Sequence, residues 1–467
     1  MMTMLTQAAR QQSAHVWTGA GSTVTRNGFG LTGGRYQTMA KPSVAAPLRN
    51  ASLWSRLGLS TTKTNKQAPI YSTKARKFAA STATIENVTA NRPVAYWIFG
   101  TAALVGGMIA VGGATRLTRS GLSMVEWKPH GSLPPMTPGE WEAQFDIYKQ
   151  FPEYQQRQSM TVDEFKRIFW WEYGHRMLGR TVGLFYTAPL IYFVLRKKLP
   201  KELYKHFGAL FTLGATQGLV GWWMVRSGLG DHGKEQLEQR NEVRVSPYRL
   251  ATHLAFAFTT LGILLWTGFT LVAPPSRAAM TREIISPDVL KQVTRIRKNL
   301  GRVSTVLGYT IVSGAFVAGI DAGMAFNTFP KMGDQWIPDE LFVMEPKYRN
   351  FFENVPLVQL DHRVLALSTL AGFTGVYAMA RRPHIWNQLP HQSRNALNMA
   401  LAAVSGQVLL GITTLVNCVP IPLAISHQCG AIVLLTATLW SHHTLSFAKP
   451  LQKAATAAVK TAPKPLR

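Results

Sequence analysis

Eight apolar runs, each about as long as a helix that crosses a bilayer, limit what this chain can fold into. A crossing helix needs about 20 mostly apolar residues. Such runs lie at roughly 95–115, 169–195, 206–225, 249–273, 303–325, 357–380, 397–417 and 422–446. Inside hydrocarbon a backbone must satisfy its own hydrogen bonds, so runs of this length become helices. The expected fold is all-α and integral to a membrane, with eight transmembrane helices. Several runs carry Gly and other small residues, which let membrane helices approach closely. Trp170, Trp171, Trp222, Trp223 and Trp266 fall near run ends, where an aromatic belt belongs. Only 16% of the 467 residues are charged, against about 25% in a soluble domain.

The formal net charge is +27. A nucleic-acid binder would gather that charge on one polar domain. Here the basic residues fall in the N-terminal segment and in short loops between apolar runs, so the expected surroundings are membrane lipid and no nucleic acid is expected. The loop from Arg196, the loop carrying Arg277, Arg282, Lys291, Arg295, Arg297, Lys298 and Arg302, and the one carrying Arg381, Arg382 and Arg394 are all basic. With eight spans these loops and both termini share one side. The odd-numbered loops carry most of the acid, including Glu126, Glu140, Glu153, Asp334 and Asp339. The first 85 residues hold no Asp or Glu, and Arg10, Arg26, Arg35 and Arg49 punctuate a Ser/Thr/Ala/Gly-rich text. That composition marks a mitochondrial transit peptide and disordered basic segment over 1–85. The basic side is then the matrix by the positive-inside rule, and the protein sits in the mitochondrial inner membrane with both termini in the matrix.

Spans one to four and five to eight read as two versions of one unit. VGGATRL at Val111 parallels VAGIDAG at Val317, EYGHR parallels LDHR, and QGLVGWW at Gln217 parallels QVLLGIT at Gln407. Each unit has an even span count, so both enter from the same side as parallel repeats. The expected domains are an N-terminal four-helix bundle over 86–273, a matrix linker over 274–302, a C-terminal four-helix bundle over 303–446 and a basic matrix tail over 447–467.

Four histidines mark the repeat: His175, His253, His362 and His427, each near the start of an even-numbered span. A single membrane histidine is more simply a helix-packing hydrogen bond. Four at matched depth, paired by a repeat, point to ligands, because ionisable groups in a membrane are costly and line functional sites. Facing helices of a four-helix bundle are where cofactor sites are built, and two imidazoles can take both axial positions of a heme iron. Two histidines per bundle leave a structural zinc two ligands short. Arg116, Arg119, Arg176 and Arg363 gather towards the same ends and suit heme propionates, since the Arg fork binds carboxylates. Arg226 and Arg249, taken singly, are explained by snorkelling to headgroups. Glu172 stands one turn before His175 on one helix face.

These residues resemble a known family, heme A synthase of mitochondria and aerobic bacteria. The text that carries the resemblance is GGATRLTRSGLSMVEWKP from Gly112, EYGHRMLGR from Glu172, QGLVGWWMVRSGL from Gln217, RLATHLA from Arg249, AGIDAGMAFNTFPKM from Ala318, LDHRVLA from Leu360 and ISHQ from Ile425. It spans about Arg92 to Leu445. The resemblance implies two four-helix bundles and an oxidation: the C8 methyl of heme O becomes a formyl group, giving heme A for cytochrome c oxidase. It implies Glu172 as the acidic catalytic residue and His175 and His253 as the substrate heme pair. His362 and His427 become the pair that holds a resident heme b. Implied partners are heme O, the farnesyltransferase that makes it, and an electron donor such as a matrix ferredoxin; homo-oligomerisation is left open. The first outer loop lacks the cysteine pair of many bacterial members, and Cys418 and Cys429 are expected as two buried thiols. The competing readings are a bis-histidine heme-b electron carrier, which has no use for Glu172, and a transporter with Asp321 as its one midplane charge.

The orientation is testable. A reporter placed near Pro138 is expected to be reached from the intermembrane space; labelling from the matrix would overturn it.

Overall fold

The computed structural model describes residues 92–448, except 127, 129, 130, 200–202, 241, 242 and 274–285, together with residue 451. All belong to the second of the two units into which the chain divides, 69–467. The stretch 1–85 expected to be a transit peptide, Arg277 and Arg282, and nearly all of the expected tail lie outside the described residues.

Eight long helices stand among the described residues: α1 (Arg92–Leu117), α2 (Val162–Leu195), α3 (Tyr204–Arg226), α4 (Pro247–Val272), α5 (Pro287–Gly319), α6 (Val355–Ala380), α7 (His391–Val416) and α8 (Ile421–Thr444). Several start with proline in the first turn, where its missing N–H costs nothing. Seven are long and apolar enough to cross a membrane, so the chain is a multi-pass helical membrane protein. The helix outside that set is α3. It spends positions on Gly208, Gly214, Gly218, Gly221, Thr212, Thr216, Gln217, Trp222 and Trp223, which add little hydropathy.

Helix α1 packs on α2 and α4, and α3 packs on the same two, closing a ring. Helices α5 and α7 each pack on α6 and α8, closing another. The rings meet where α4 lies against α5 and α8, and α1 against α8. The core of the first is built on Trp97, which stacks on Tyr186 and Phe207 with ring centroids 5.2 and 5.7 Å away. Such pairs add roughly 0.5–1.5 kcal/mol beyond their buried area.

Two helices begin well before their apolar runs, α2 at Val162 rather than near 169 and α5 at Pro287 rather than near 303. Helix α2 starts at a capping box, in which Glu164 N donates to Thr161 Oγ1 and Thr161 N donates to Glu164 Oε2. Helix α5 starts where the Ser286 hydroxyl accepts from Val289 N, inside the stretch read as a linker. Its first turns are amphipathic: Val289, Leu290, Val293, Ile296 and Leu300 are buried against Ile385, Leu389, Leu397 and Phe447. A search for continuous apolar runs does not find a helix that is apolar on one face only. Cys418 and Cys429 are both free thiols; Cys418 is exposed rather than buried.

Between α1 and α2, helix Pro138–Lys149 packs Trp141, Phe145 and Tyr148 against Phe165 and Phe169 of α2. Beside this cluster Glu153 is buried, and neither its Oε2 nor the Tyr148 hydroxyl has a hydrogen-bond partner. Burial pushes the Glu153 carboxyl up to about 7; Arg157 pulls the other way and the charge of Glu172 adds to the rise. The folded state therefore binds this proton more tightly than the unfolded chain does. Stability is fully present below the ordinary carboxylate range and falls as pH climbs through it towards 7. Glu153→Gln should abolish that fall, gaining on the order of 1–3 kcal/mol over wild type near pH 8 and little near pH 4. Parallel melting-temperature profiles of the two proteins in detergent would refute it.

Candidate functional site

Each of the four histidines is seated against a glycine of the preceding helix. A methyl group at Gly112 of α1 would stand 2.9 Å from Cε1 of His175 on α2. The same holds for Gly221 and His253 at 3.0 Å, Gly314 and His362 at 3.1 Å, and Gly411 and His427 at 2.8 Å. At those distances no side chain fits unless the imidazole moves. Gly112 precedes the last residue of its helix, Leu117, by five positions, as Gly221 does Arg226, Gly314 does Gly319 and Gly411 does Val416. The four rings therefore sit at one level below the ends of α1, α3, α5 and α7. Within each ring of helices the two imidazoles lie in electrostatic range of each other, His175 with His253 and His362 with His427.

Glutamines repeat as well. Gln217 donates to the carbonyl of His253 at 3.0 Å, and Gln407 to that of His427 at 2.9 Å. Each stands one turn before its glycine, so α3 and α7 grip their partner helices in the same way. The Nδ1 atoms of His175, His253 and His427 are buried without partners, an uncommon state for a buried polar atom. His362 differs. Ser313 Oγ lies 2.8 Å from its Nδ1 and donates its own proton to Thr310 O at 2.9 Å. The hydroxyl must then accept from Nδ1–H, which leaves the Nε2 lone pair free, the form that ligates a metal.

Glu172 is 2% exposed. Its Oε2 accepts from Ser123 Oγ at 2.7 Å and Met124 N at 2.8 Å, and its Oε1 from Arg176 Nη2 at 2.6 Å. Arg176 also donates to the carbonyls of Met124 and Glu126 at 2.6 and 2.8 Å. An ionised carboxylate in an apolar bundle is costly alone; three donors, one of them cationic, offset that cost. The clasp turns the carboxylate towards the segment after α1 and fixes its orientation.

The counterpart in α6 is Gln359, which precedes His362 by three residues as Glu172 precedes His175. Gln359 is 3% exposed. Its Oε1 accepts from Arg363 at 3.0 Å, and its amide donates to the carbonyls of Ala322 (2.8 Å) and Ala325. Arg363 also donates to Phe326 O at 2.8 Å, Lys331 O at 3.2 Å and Pro330 O at 3.3 Å. The two slots share one design with opposite polarity: the segment after α1 presents donors, and the segment after α5 presents carbonyls. The parallel of EYGHR with LDHR in the sequence does not by itself reveal Gln359 as the counterpart of Glu172. The equal spacing to the histidine was the available signal.

The remaining arginines divide. Arg116 donates to Asp321 Oδ1 at 3.0 Å and to Ala318 O at 2.9 Å. Guanidinium nitrogens of Arg119 and Arg244 lie 3.6 Å from Asp321 Oδ2. Asp321 thus ties the end of α1 to the segment after α5. Its left-handed backbone, φ 53°, is one that Asp tolerates better than most residues. Asp321 thus stands just beyond the end of α5, which closes at Gly319, rather than within a span. Arg249 donates to Trp223 O at 2.8 Å and lies over the Trp223 ring, 4.6 Å from its centroid.

The family model for COX15-CtaA, described as "Cytochrome oxidase assembly protein", matches residues 95–439. The chain is 44% identical over 363 residues to "Heme A synthase COX15" of Arabidopsis thaliana, covering 77% of this chain and 76% of the relative. It is 41% identical over 361 residues to the human protein of that name, covering 77% and 84%. It is 40% identical over 369 residues to a "Heme A synthase-mitochondrial ferredoxin fusion protein" of Schizosaccharomyces pombe, covering 75% and 59%. No solved structure matches the chain. With the helical region matched almost end to end by the family model, and with relatives this similar over three quarters of its length, the chain belongs to the COX15-CtaA family.

Proposed function

We propose that this chain is a heme A synthase of the mitochondrial inner membrane, oxidising the C8 methyl group of heme O to a formyl group. Relatives that carry this name in plant, human and fission yeast support the activity. The observation that carries the division of labour is the exchange of Glu172 for Gln359 in otherwise matched slots beside His175 and His362. The half over 86–273 holds heme O between His175 and His253. In the half over 303–446, His362 and His427 would hold a resident heme b. The closed ring of contacts in each half supports two pseudo-symmetric four-helix bundles, with α3 as the eighth transmembrane helix. An even count puts both termini in the matrix, after a transit peptide in 1–85.

The chemistry of the donor set fits heme. Each half offers two imidazoles at one level, and no group of three or more His, Cys, Asp or Glu side chains converges among the described residues. His362, with Nδ1 committed to Ser313, is prepared to ligate through Nε2. Heme b bound there would supply a one-electron redox centre. The chain's own residues do the rest. The glycine seats fix the imidazole planes. Arg116, Arg119, Arg176 and Arg363 form a cationic rim that favours propionates. Glu172 moves or holds the proton that methyl oxidation releases, with Arg176 and Met124 N–H keeping it in place. The ferredoxin fused to the fission yeast relative supports a ferredoxin-type electron donor. An electron carrier that leaves its heme unmodified would need no carboxylate clasped beside its ligand.

Glu172→Gln should lower heme A formation by about 100-fold or more and let heme O accumulate. The amide would set an N–H against Met124 N–H or Arg176, so a stability loss of roughly 1–3 kcal/mol is expected too. Activity is therefore counted per folded, heme-loaded protein; near-normal heme A on that basis removes Glu172 from the mechanism. Replacing both His362 and His427 by Ala should erase the resident b-type spectrum of the purified protein. A full low-spin spectrum in that variant would overturn the assignment of the C-terminal half.

A further inference from the structure

We infer that Arg226, at the outer end of α3, binds a carboxylate side arm of the tetrapyrrole held by α1–α4. The inference rests on the reading that this half takes heme O. Four arginines stood out in the sequence as propionate partners. In the structure Arg176 and Arg363 donate mainly to the carbonyls of the segments they clasp, and Arg116 donates to Asp321 and to Ala318 O. Arg119 also faces Asp321. Arg226 is different. Among the described residues its guanidinium makes no hydrogen bond and no ion pair; it lies beside the Trp222 ring, 5.5 Å from the centroid.

Arg226 also lines an open hollow of about 110 Å³ with Val125, Arg176, Trp222, Val225 and Leu229. Arg176 and Arg226 both line this space and no acidic residue does. Its remaining walls are apolar or aromatic. That combination suits a short alkyl arm ending in a carboxylate, with methylenes on Val125 and Val225 and charge between the guanidiniums. At about 110 Å³ the hollow is of the size of a side arm rather than of a macrocycle. The macrocycle's place is set by the neighbours. Arg176 follows His175 directly, and Arg226 stands five residues after Gly221, the seat of His253. A porphyrin between those two imidazoles would thus present its acidic edge to the level of the hollow. Snorkelling to lipid phosphate explains a lone cation at a helix end. It does not explain why Arg176 lines the same hollow.

The test is a spectrophotometric titration of purified wild type, Arg226→Gln and Arg226→Lys with heme O and with its dimethyl ester, in neutral detergent. One charge-assisted hydrogen bond corresponds to about tenfold or more in affinity. Wild type should bind the diacid about tenfold more tightly than Arg226→Gln does, and Arg226→Lys should recover part of the difference. With the ester, wild type and Arg226→Gln should bind alike. A folded Arg226→Gln protein that binds the diacid as wild type does overturns the proposal, as does an equal loss for acid and ester. A melting temperature that Arg226→Gln lowers only in anionic lipid, with heme affinity unchanged, would identify a headgroup contact instead. Wild type that binds neither heme would refute the heme O reading itself, which is a separate outcome.

Discussion

The approach of one helix to the next at a histidine is the contact on which the rest of this structure depends. An imidazole between two helices needs space that only a missing side chain provides, and Gly112, Gly221, Gly314 and Gly411 each provide it. Because each glycine stands the same distance from its helix end, four independent contacts produce one level of imidazoles. Glutamine-to-carbonyl bonds from α3 and α7 hold two of these contacts in register. Any shift along a helix axis would lose the seat, the glutamine bond and the level together.

Above that level the chain handles charge by enclosure. Arg176 and Arg363 each reach back from a helix to the backbone carbonyls of the preceding segment, and each carries a buried acceptor one turn earlier. Guanidinium serves here because its several donors can satisfy carbonyls and a side chain at once. Asp321 adds the tie between halves. It draws Arg116, Arg119 and Arg244, all from the first half, onto a residue of the second. These three cations thus help to keep the two halves in contact.

The divergence of the halves is small in covalent terms and large in consequence. Glu172 and Gln359 have nearly the same shape, yet one meets hydroxyl and N–H donors and the other meets carbonyls. Each surrounding would be wrong for the other residue, since an unpaired buried donor or acceptor costs about 1–3 kcal/mol. Specialisation is therefore written into the loop backbone as well as the side chain.

The all-helical fold, the parallel text of the two halves and the spacing of Glu172 and His175 were legible in the sequence, because hydropathy and i, i+3 spacing are local properties of a chain. The basic first half of α5 escaped that reading; its apolar face emerges only against the helix-end residues it covers. Gln359 and the glycine seats escaped for another reason. Their roles are contacts with other segments, 37 and 34 positions away for the Gln359 amide and on a separate helix for each glycine. Composition also could not tell an arginine committed to carbonyls from one left facing open space, which separates Arg176 and Arg363 from Arg226. The sequence by itself determined which residues are present at which turn of which helix. Tertiary structure decided which polar atoms are satisfied, because only packing brings donors and acceptors from distant segments within hydrogen-bond reach.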